Sequence, residues 1–230
     1  MRAFRQSWTL AVLLAPMAAV ACSQATTAEP QTPAPAVEAR SDAEIEALFS
    51  ARRDSARMRF TEADVRFMTG MIHHHAQAID MSRLAPTHTS NPDIHTLAAR
   101  IINAQRDEIA TMQRWLRDRD QPVPELHVSD AGVMVHGAGH AMHMPGMLTP
   151  DQLRDLDAAR GVAFDRLFLT LMIQHHNGAV TMVRELFKVD GAGQDEDVFR
   201  FASDVHVDQI TEIDRMRVML DALPAGGNNP

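Results

Sequence analysis

The stretch Phe67-Met-Thr-Gly-Met-Ile-His-His-His-Ala-Gln-Ala-Ile-Asp-Met81 returns about a hundred positions later as Phe168-Leu-Thr-Leu-Met-Ile-Gln-His-His-Asn-Gly-Ala-Val-Thr-Met182. An internal repeat of this kind means two copies of one structural unit. Phe67/Phe168, Met71/Met172, His74/His175, His75/His176, Ala78/Ala179 and Met81/Met182 coincide, while His73 falls opposite Gln174. A second match, at a slightly different offset, pairs Gln105/Gln209, Glu108/Glu212, Ile109/Ile213, Met112/Met216 and Leu116/Leu220. Each half then reads as helix, connection, helix. Two helical hairpins sharing one apolar centre predict an all-α four-helix bundle.

Local signals place the helices. Thr61, with Asp64 three residues on, resembles a capping box, and Phe67, Met68, Met71, Ile72, His75, Ala78 and Ile79 carry the helical period onward until Pro86. Arg52 to Arg59 either extends this helix backwards or forms a separate turn. Pro92 begins the next helix, which runs to about Arg119 before Gln121-Pro122-Val123-Pro124 ends it. Thr149-Pro150-Asp151-Gln152 is a start signal, and the pattern beyond it passes Gly161 towards Ala179 as one bent helix or two abutting ones. Asp190-Gly191-Ala192-Gly193 closes that segment, and Asp197 to Leu220 forms the last helix.

The beginning of the chain reads as an address. Arg2 and Arg5 precede an apolar run from Trp8 to Val20, and Ala19-Val20-Ala21 offers a small-residue cleavage site, so residues 1–21 are predicted to be an export signal too short to span a bilayer. Cys22, the one cysteine, follows that site directly, as in lipoprotein signals, although the usual Leu is missing; a lipid anchor at Cys22 and simple secretion both fit. Residues 22–40, rich in Ala, Thr, Pro and Gln, read as a disordered tether, residues 41–220 as the four-helix domain with a connector at 126–148, and 221–230 as a loose tail. Without the signal the chain carries 20 basic against 30 acidic side chains, a net of −10, which disfavours nucleic acid as a partner.

Chemistry concentrates on the repeated face. At about 100° per residue, His74 and His75 straddle the inward direction and His73 points away. Both copies together bring His74, His75, His175 and His176 towards the bundle centre, with Met71 and Met172 one turn earlier, at chelating distance, and Met81 and Met182 further along. The bland alternative is a core of methionines and histidines satisfied by Gln105, Gln209, Glu108 or Glu212. Four buried imidazoles need a compensating partner, however, and a cation supplies one. Imidazole and thioether without available thiolate favour copper, as Cu(I) or Cu(II), over iron or calcium. Neither Glu108-Ile-Ala-Thr111 nor Glu212-Ile-Asp-Arg215 supplies the Glu-x-x-His of a di-iron bundle, and Glu108 and Glu212 are better suited to orienting imidazole. The connector holds Met134, His136, His140, Met142, His143, Met144 and Met147 within 14 residues, a composition suited to capturing or passing on an ion.

The phrases Met71 to Met81, Ala104 to Leu116, Met144-Pro-Gly-Met147 and Phe164-Asp-Arg-Leu-Phe-Leu169 resemble the bacterial domain of unknown function 305 family over about residues 60–220. The resemblance implies a ferritin-like four-helix fold exported to the periplasm or cell surface, with some members associated with copper binding and tolerance. His74, His75, Met81, His175, His176 and Met182 sit where that family's His-His and trailing Met motifs fall; His73 departs from it.

The expectation is thus an exported, non-enzymatic protein without catalytic residues that binds copper, sequesters it or passes it to an envelope copper-handling partner. It would use Met71, His74, His75, Met81, Met172, His175, His176, Met182 and the connector's His140, Met142, His143, Met144 and Met147. It would meet a membrane only through a lipid on Cys22. Two rivals are a ferritin-like metal-dependent oxidoreductase and a metal-free structural or partner-binding module.

Overall fold

Most of the long helices start where a side chain satisfies their first free amides; the helix that begins at Gly161 has no side-chain cap. In the computed structural model, which describes residues 41–57, 59–129, 132–137 and 144–224, the elements in order are α1 (Asp42–Arg57), α2 (Glu62–Ser82), α3 (Ala85–His88), α4 (Pro92–Arg117), β1 (Glu125–Ser129), β2 (Gly132–His136), α5 (Pro150–Ala158), α6 (Gly161–Leu186) and α7 (Glu196–Ala222). Thr61 and Asp64 form the capping box of α2, with Thr61 N donating to Asp64 Oδ2 at 2.8 Å and Asp64 N to Thr61 Oγ1 at 3.2 Å. Asn91 caps α4, Thr149 and Gln152 form a second capping box on α5, and Asp195 accepts from the amides of Asp197 and Val198 at the head of α7.

The structure decides two boundaries that the sequence left open and moves a third. The residues before Thr61 form a helix of their own, α1, which exposes Ile45, Leu48 and Phe49. Pro86 lies inside the short α3 instead of ending α2, which stops at Ser82. Two abutting helices, not one bent one, precede Ala179, because Ala159 and Arg160 are both extended. The connector also contains an antiparallel ribbon, pairing Glu125 with His136 and His127 with Met134. Leu126, Val133 and Val135 pack inwards from it, a period of two that was readable in the chain but hidden among glycines and ligand-type residues.

α2 packs on α4, α6 on α7, and α2 against α6, the two hairpins of an all-α bundle. The core divides into two clusters. One holds Phe67, Met71, Ile109, Met112, Met182, Val198, Phe201 and Val205; the other holds Met81, Ile94, Leu97, Ile101, Phe168, Met172, Ile213 and Met216. The repeat explains the division, since Phe67, Met71, Ile109 and Met112 have their counterparts Phe168, Met172, Ile213 and Met216 in the opposite cluster. The hairpins therefore run antiparallel to one another about a pseudo-two-fold axis that passes between the clusters. The axis recurs in the braces: Asp64 on α2 accepts from Gly193 N just ahead of α7 at 2.7 Å, and its counterpart Asp165 on α6 accepts from Asn91 Nδ2 at the head of α4 at 2.8 Å.

One segment breaks the symmetry. Met144 to Leu148 crosses the α2/α6 seam as a strap, fastened by Gln77, whose Nε2 donates to Leu148 O at 3.2 Å and whose Oε1 accepts from Leu148 N at 2.8 Å. Gly146, at φ +76°, lies against Gly178 so closely that a Cβ on Gly178 would stand 2.1 Å from Pro145 O. Gly178→Ala is accordingly expected to cost about 1–3 kcal/mol by overpacking. Urea denaturation checks it: a variant as stable as the parent would show that the strap does not lie tight on α6.

Candidate metal centre

Between the two apolar clusters lies a polar layer. His74, His75, His175 and His176 are all fully buried, and Gln105 and Gln209 are nearly so. Helix periodicity puts the two His-His pairs on facing sides of α2 and α6, and the antiparallel crossing brings them to one level, with the His74 and His175 ring centroids 3.8 Å apart. The second helix of each hairpin contributes a carboxylate: His75 Nε2 lies 2.7 Å from Glu108 Oε2, and His176 Nε2 lies 2.6 Å from Glu212 Oε2. The His176 contact has hydrogen-bond geometry; the His75 contact is close but off-axis, an electrostatic contact. On the strap side, His74 Nε2 donates to Pro145 O at 3.0 Å, which leaves its Nδ1 as a bare acceptor.

The remaining ring nitrogens are unusual. Nδ1 of His74, His75 and His176 and both nitrogens of His175 are buried without a hydrogen-bond partner. An unpaired buried polar group costs about 1–3 kcal/mol. The buried His88 shows what a merely structural histidine does here, with Nδ1 at 2.9 Å from Thr87 Oγ1 and Nε2 at 2.9 Å from Asp157 O. The layer, in contrast, concentrates free nitrogen lone pairs where water does not reach.

Burial also sets protonation. Burial first, then the neighbouring His75 and His176 rings, lower the pKa of His74 to about 3 against the carbonyl of Pro145. His175 is held well below its ordinary value by burial and by the His74, His176 and His75 rings, with the backbone of His74 opposing. Both rings are neutral at ordinary pH and so able to donate a lone pair to a metal. Beside the layer, burial and then Glu108, Asp204 and Glu212 raise the pKa of Asp208.

The thioethers divide. Met71, Met144 and Met182 belong to one apolar cluster and Met81 and Met172 to the other, so they flank the imidazoles from both sides; Met147 packs at the edge of the first cluster. Among the described residues no three His, Cys, Asp or Glu side chains stand closely enough grouped to enclose an ion. His140, Met142 and His143, like Cys22 and the signal and tether segments, lie outside the described residues. His73 is half-buried.

Several participants escape a reading of the chain alone. The Pro145 carbonyl carries no side-chain signal. Asp204 and Asp208 could have been noticed, because Asp204, Asp208 and Glu212 follow one another at i, i+4 and i+8, a like-charge line that weakens an isolated helix. His127, Met134 and His136 share the exposed outer face of the ribbon, a grouping that only the strand register creates.

Residues 64–220 match the family described as "Domain of unknown function (DUF305)". The fold is similar to that of a DUF305 protein from Streptomyces coelicolor, 28% identical, covering 73% of this chain and 98% of that one with a TM-score of 0.58. It is similar also to a DUF305 fragment from Deinococcus radiodurans, 30% identical over 71% of this chain and 99% of that one, TM-score 0.59. CopM in its Cu(I)-bound form is 28% identical over 69% of this chain and 95% of that one, TM-score 0.51, and CopM has also been solved with Cu(II) and with silver. An uncharacterized protein, L153, of Acanthamoeba polyphaga mimivirus is 41% identical over 56 residues, 24% of this chain; the match spans 37% of that protein's length.

Neutral burial of His74 and His175 makes the apoprotein acid-sensitive. Their folded pKa values lie below the unfolded value of 6.5, so the unfolded chain takes up protons first as the pH falls. The stability they permit is complete above about pH 6.5 and drains away below it, for His74 down to about pH 3, at about 1.4 kcal/mol per pH unit for each ring that the unfolded chain protonates. Urea denaturation of the metal-free protein from about pH 7 to about pH 5 should show a stability loss about two protons steeper than in His74→Gln/His175→Gln. Equal slopes would mean that the rings are not buried neutral.

Proposed function

Because the chain belongs to the DUF305 family, and because its imidazole layer lies within the matched residues 64–220, we propose that it is an exported copper-binding protein that takes up the ion as cargo, to sequester it or hand it to an envelope partner. The observation that carries this reading is the set of buried, unpartnered ring nitrogens on His74, His75, His175 and His176. A soft cation would satisfy them at once.

The donor chemistry fits. Glu108 and Glu212 hold the Nε2 sides of His75 and His176, which orients those rings and leaves their Nδ1 atoms to meet an ion, as a carboxylate beside a ligating histidine does. Met71, Met172, Met81, Met182 and Met144 bring thioether sulfur into the flanking clusters, and imidazole with thioether selects copper. CopM, to which the fold is similar, has been solved with Cu(I) and Cu(II) bound. Export is supported by residues 1–21 and by the Streptomyces coelicolor relative, which is described as secreted. His140, Met142, His143 and Met147 would extend capture beyond the buried layer. Cys22 would tether the protein if acylated.

A second reading has an observation of its own. Since no three His, Cys, Asp or Glu side chains enclose an ion among the described residues, the layer could be a metal-free device fixing the register of the two hairpins through its two His–Glu ties. Melting separates the readings, because a ligand bound only by the native state stabilises it, by about 2.7 kcal/mol at a hundredfold excess over Kd.

The purified protein is expected to retain copper and to melt at higher temperature with it. His74/His75/His175/His176→Ala should lose most of the binding. His175→Ala, which removes the ring with neither nitrogen paired, should keep the fold by circular dichroism and weaken copper binding at least about tenfold, some 1.4 kcal/mol. Undiminished copper in both variants, or melting indifferent to copper, would sink the assignment.

A further inference from the structure

The strap closes the imidazole layer along the α2/α6 seam, where Pro145 O holds His74 and Gly146 abuts Gly178. The opposite seam, between α4 and α7, is open. There Asp107, Glu108 and Trp115 face Asp204, Val205 and Asp208 across a groove of about 450 Å³. A smaller cavity of about 150 Å³, lined by Gln105, Glu108, Asp208, Gln209 and Glu212, continues it. Glu108 and Asp208 line both spaces, so one path leads from the surface to the carboxylates that touch His75 and His176.

Acids outnumber cations along the groove, and the inner cavity has acids alone. Asp204, Asp208 and Glu212 follow each other on α7 at the spacing that sets side chains one above another, and Glu108 joins them from α4. Three arginines also line the groove, Arg114, Arg119 and Arg200; Arg119 is committed to Asp195 and Asp197 and Arg200 to Asp197, and none of the three lines the inner cavity. An independent observation comes from the inner cavity. Gln105 is 2% exposed, yet neither its Oε1 nor its Nε2 has a partner, and the Oε1 of Gln209 is also unpaired. Burying an amide that way is unfavourable unless something else comes to meet it.

We propose that the α4/α7 groove is a cation vestibule in which Asp204, Asp208, Glu108 and Glu212 attract a hydrated divalent copper ion and Gln105 and Gln209 offer oxygen in place of part of its water before it reaches the imidazoles. The inference rests on the copper-binding reading and adds where the ion enters and in what form. Carboxylate and amide oxygens suit an aquated divalent ion, whereas imidazole and thioether suit the softer environment beyond. A cleft lined by one sign of charge raises the local concentration of its counter-ion and speeds association by about 10-fold to 1000-fold, and salt suppresses the effect.

The test is rapid mixing of the whole protein with a copper(II) salt, with Trp115, which lines the groove, reporting arrival through fluorescence quenching. Asp204→Asn/Asp208→Asn should slow association by about tenfold at low ionic strength and flatten its salt dependence, while the number of ions bound stays that of the parent. The same change of charge at the exposed Asp93 and Asp155 should leave the rate within about twofold of the parent. An unchanged rate in the groove variant, or an equal slowing in the distant one, overturns the vestibule while leaving the copper reading intact. A lower stoichiometry also overturns it, by making these carboxylates ligands of the final site. A parent protein that takes up no copper overturns both.

Discussion

Everything in this molecule is arranged around imidazoles that water cannot reach. Four rings at one level of a helical bundle forfeit their hydration, and the protein returns only part of it: two carboxylates and one backbone carbonyl answer three ring nitrogens, and the rest go unanswered. A chain selected only for a stable core would fill that level with leucine or pair every nitrogen, as this one does at His88. The cost is sustained by the large apolar clusters on either side, which confine the polar layer to the middle of the bundle.

The repeat turns one helix pattern into a layer of four imidazoles. A single His-His pair can present one ring to each neighbouring helix, but it cannot surround anything. Running the second copy antiparallel to the first brings four rings to a common level and places each copy's early Met in the same apolar cluster as the other copy's late one, Met71 with Met182 and Met172 with Met81. The same axis places Glu108 and Glu212 on opposite sides and repeats the Asp64 and Asp165 braces. Symmetry fails at the strap, where the connector meets His74 but has no counterpart at His175 among the described residues. That asymmetry gives the layer a closed face and an open one.

Much of this was legible in the residues. The all-α bundle followed from the repeat, because helical period and pairwise identity are local properties. Thr61, Asn91 and Thr149 act as the caps their chemistry allows. The break at Gly161 stayed open in the sequence, since apolar spacing continues across it; two extended residues, Ala159 and Arg160, decide it. The connector read as a loose run of ligands, yet its Leu126, Val133 and Val135 alternate as a strand does and pack on the core, and Met144, at the head of the strap, is buried in the same cluster.

Residue identity and spacing alone determined that this chain makes two like helical hairpins and turns paired histidines inward, because side-chain direction on a helix is set by position along it. The tertiary structure alone decided which nitrogens are left without partners, that Pro145 O reaches His74, and that Asp204 and Asp208 line the α4/α7 groove. Those are relations between atoms far apart in the chain. Hydrogen-bond satisfaction, burial and access depend on what the other helices bring to the same place, and no local pattern encodes that.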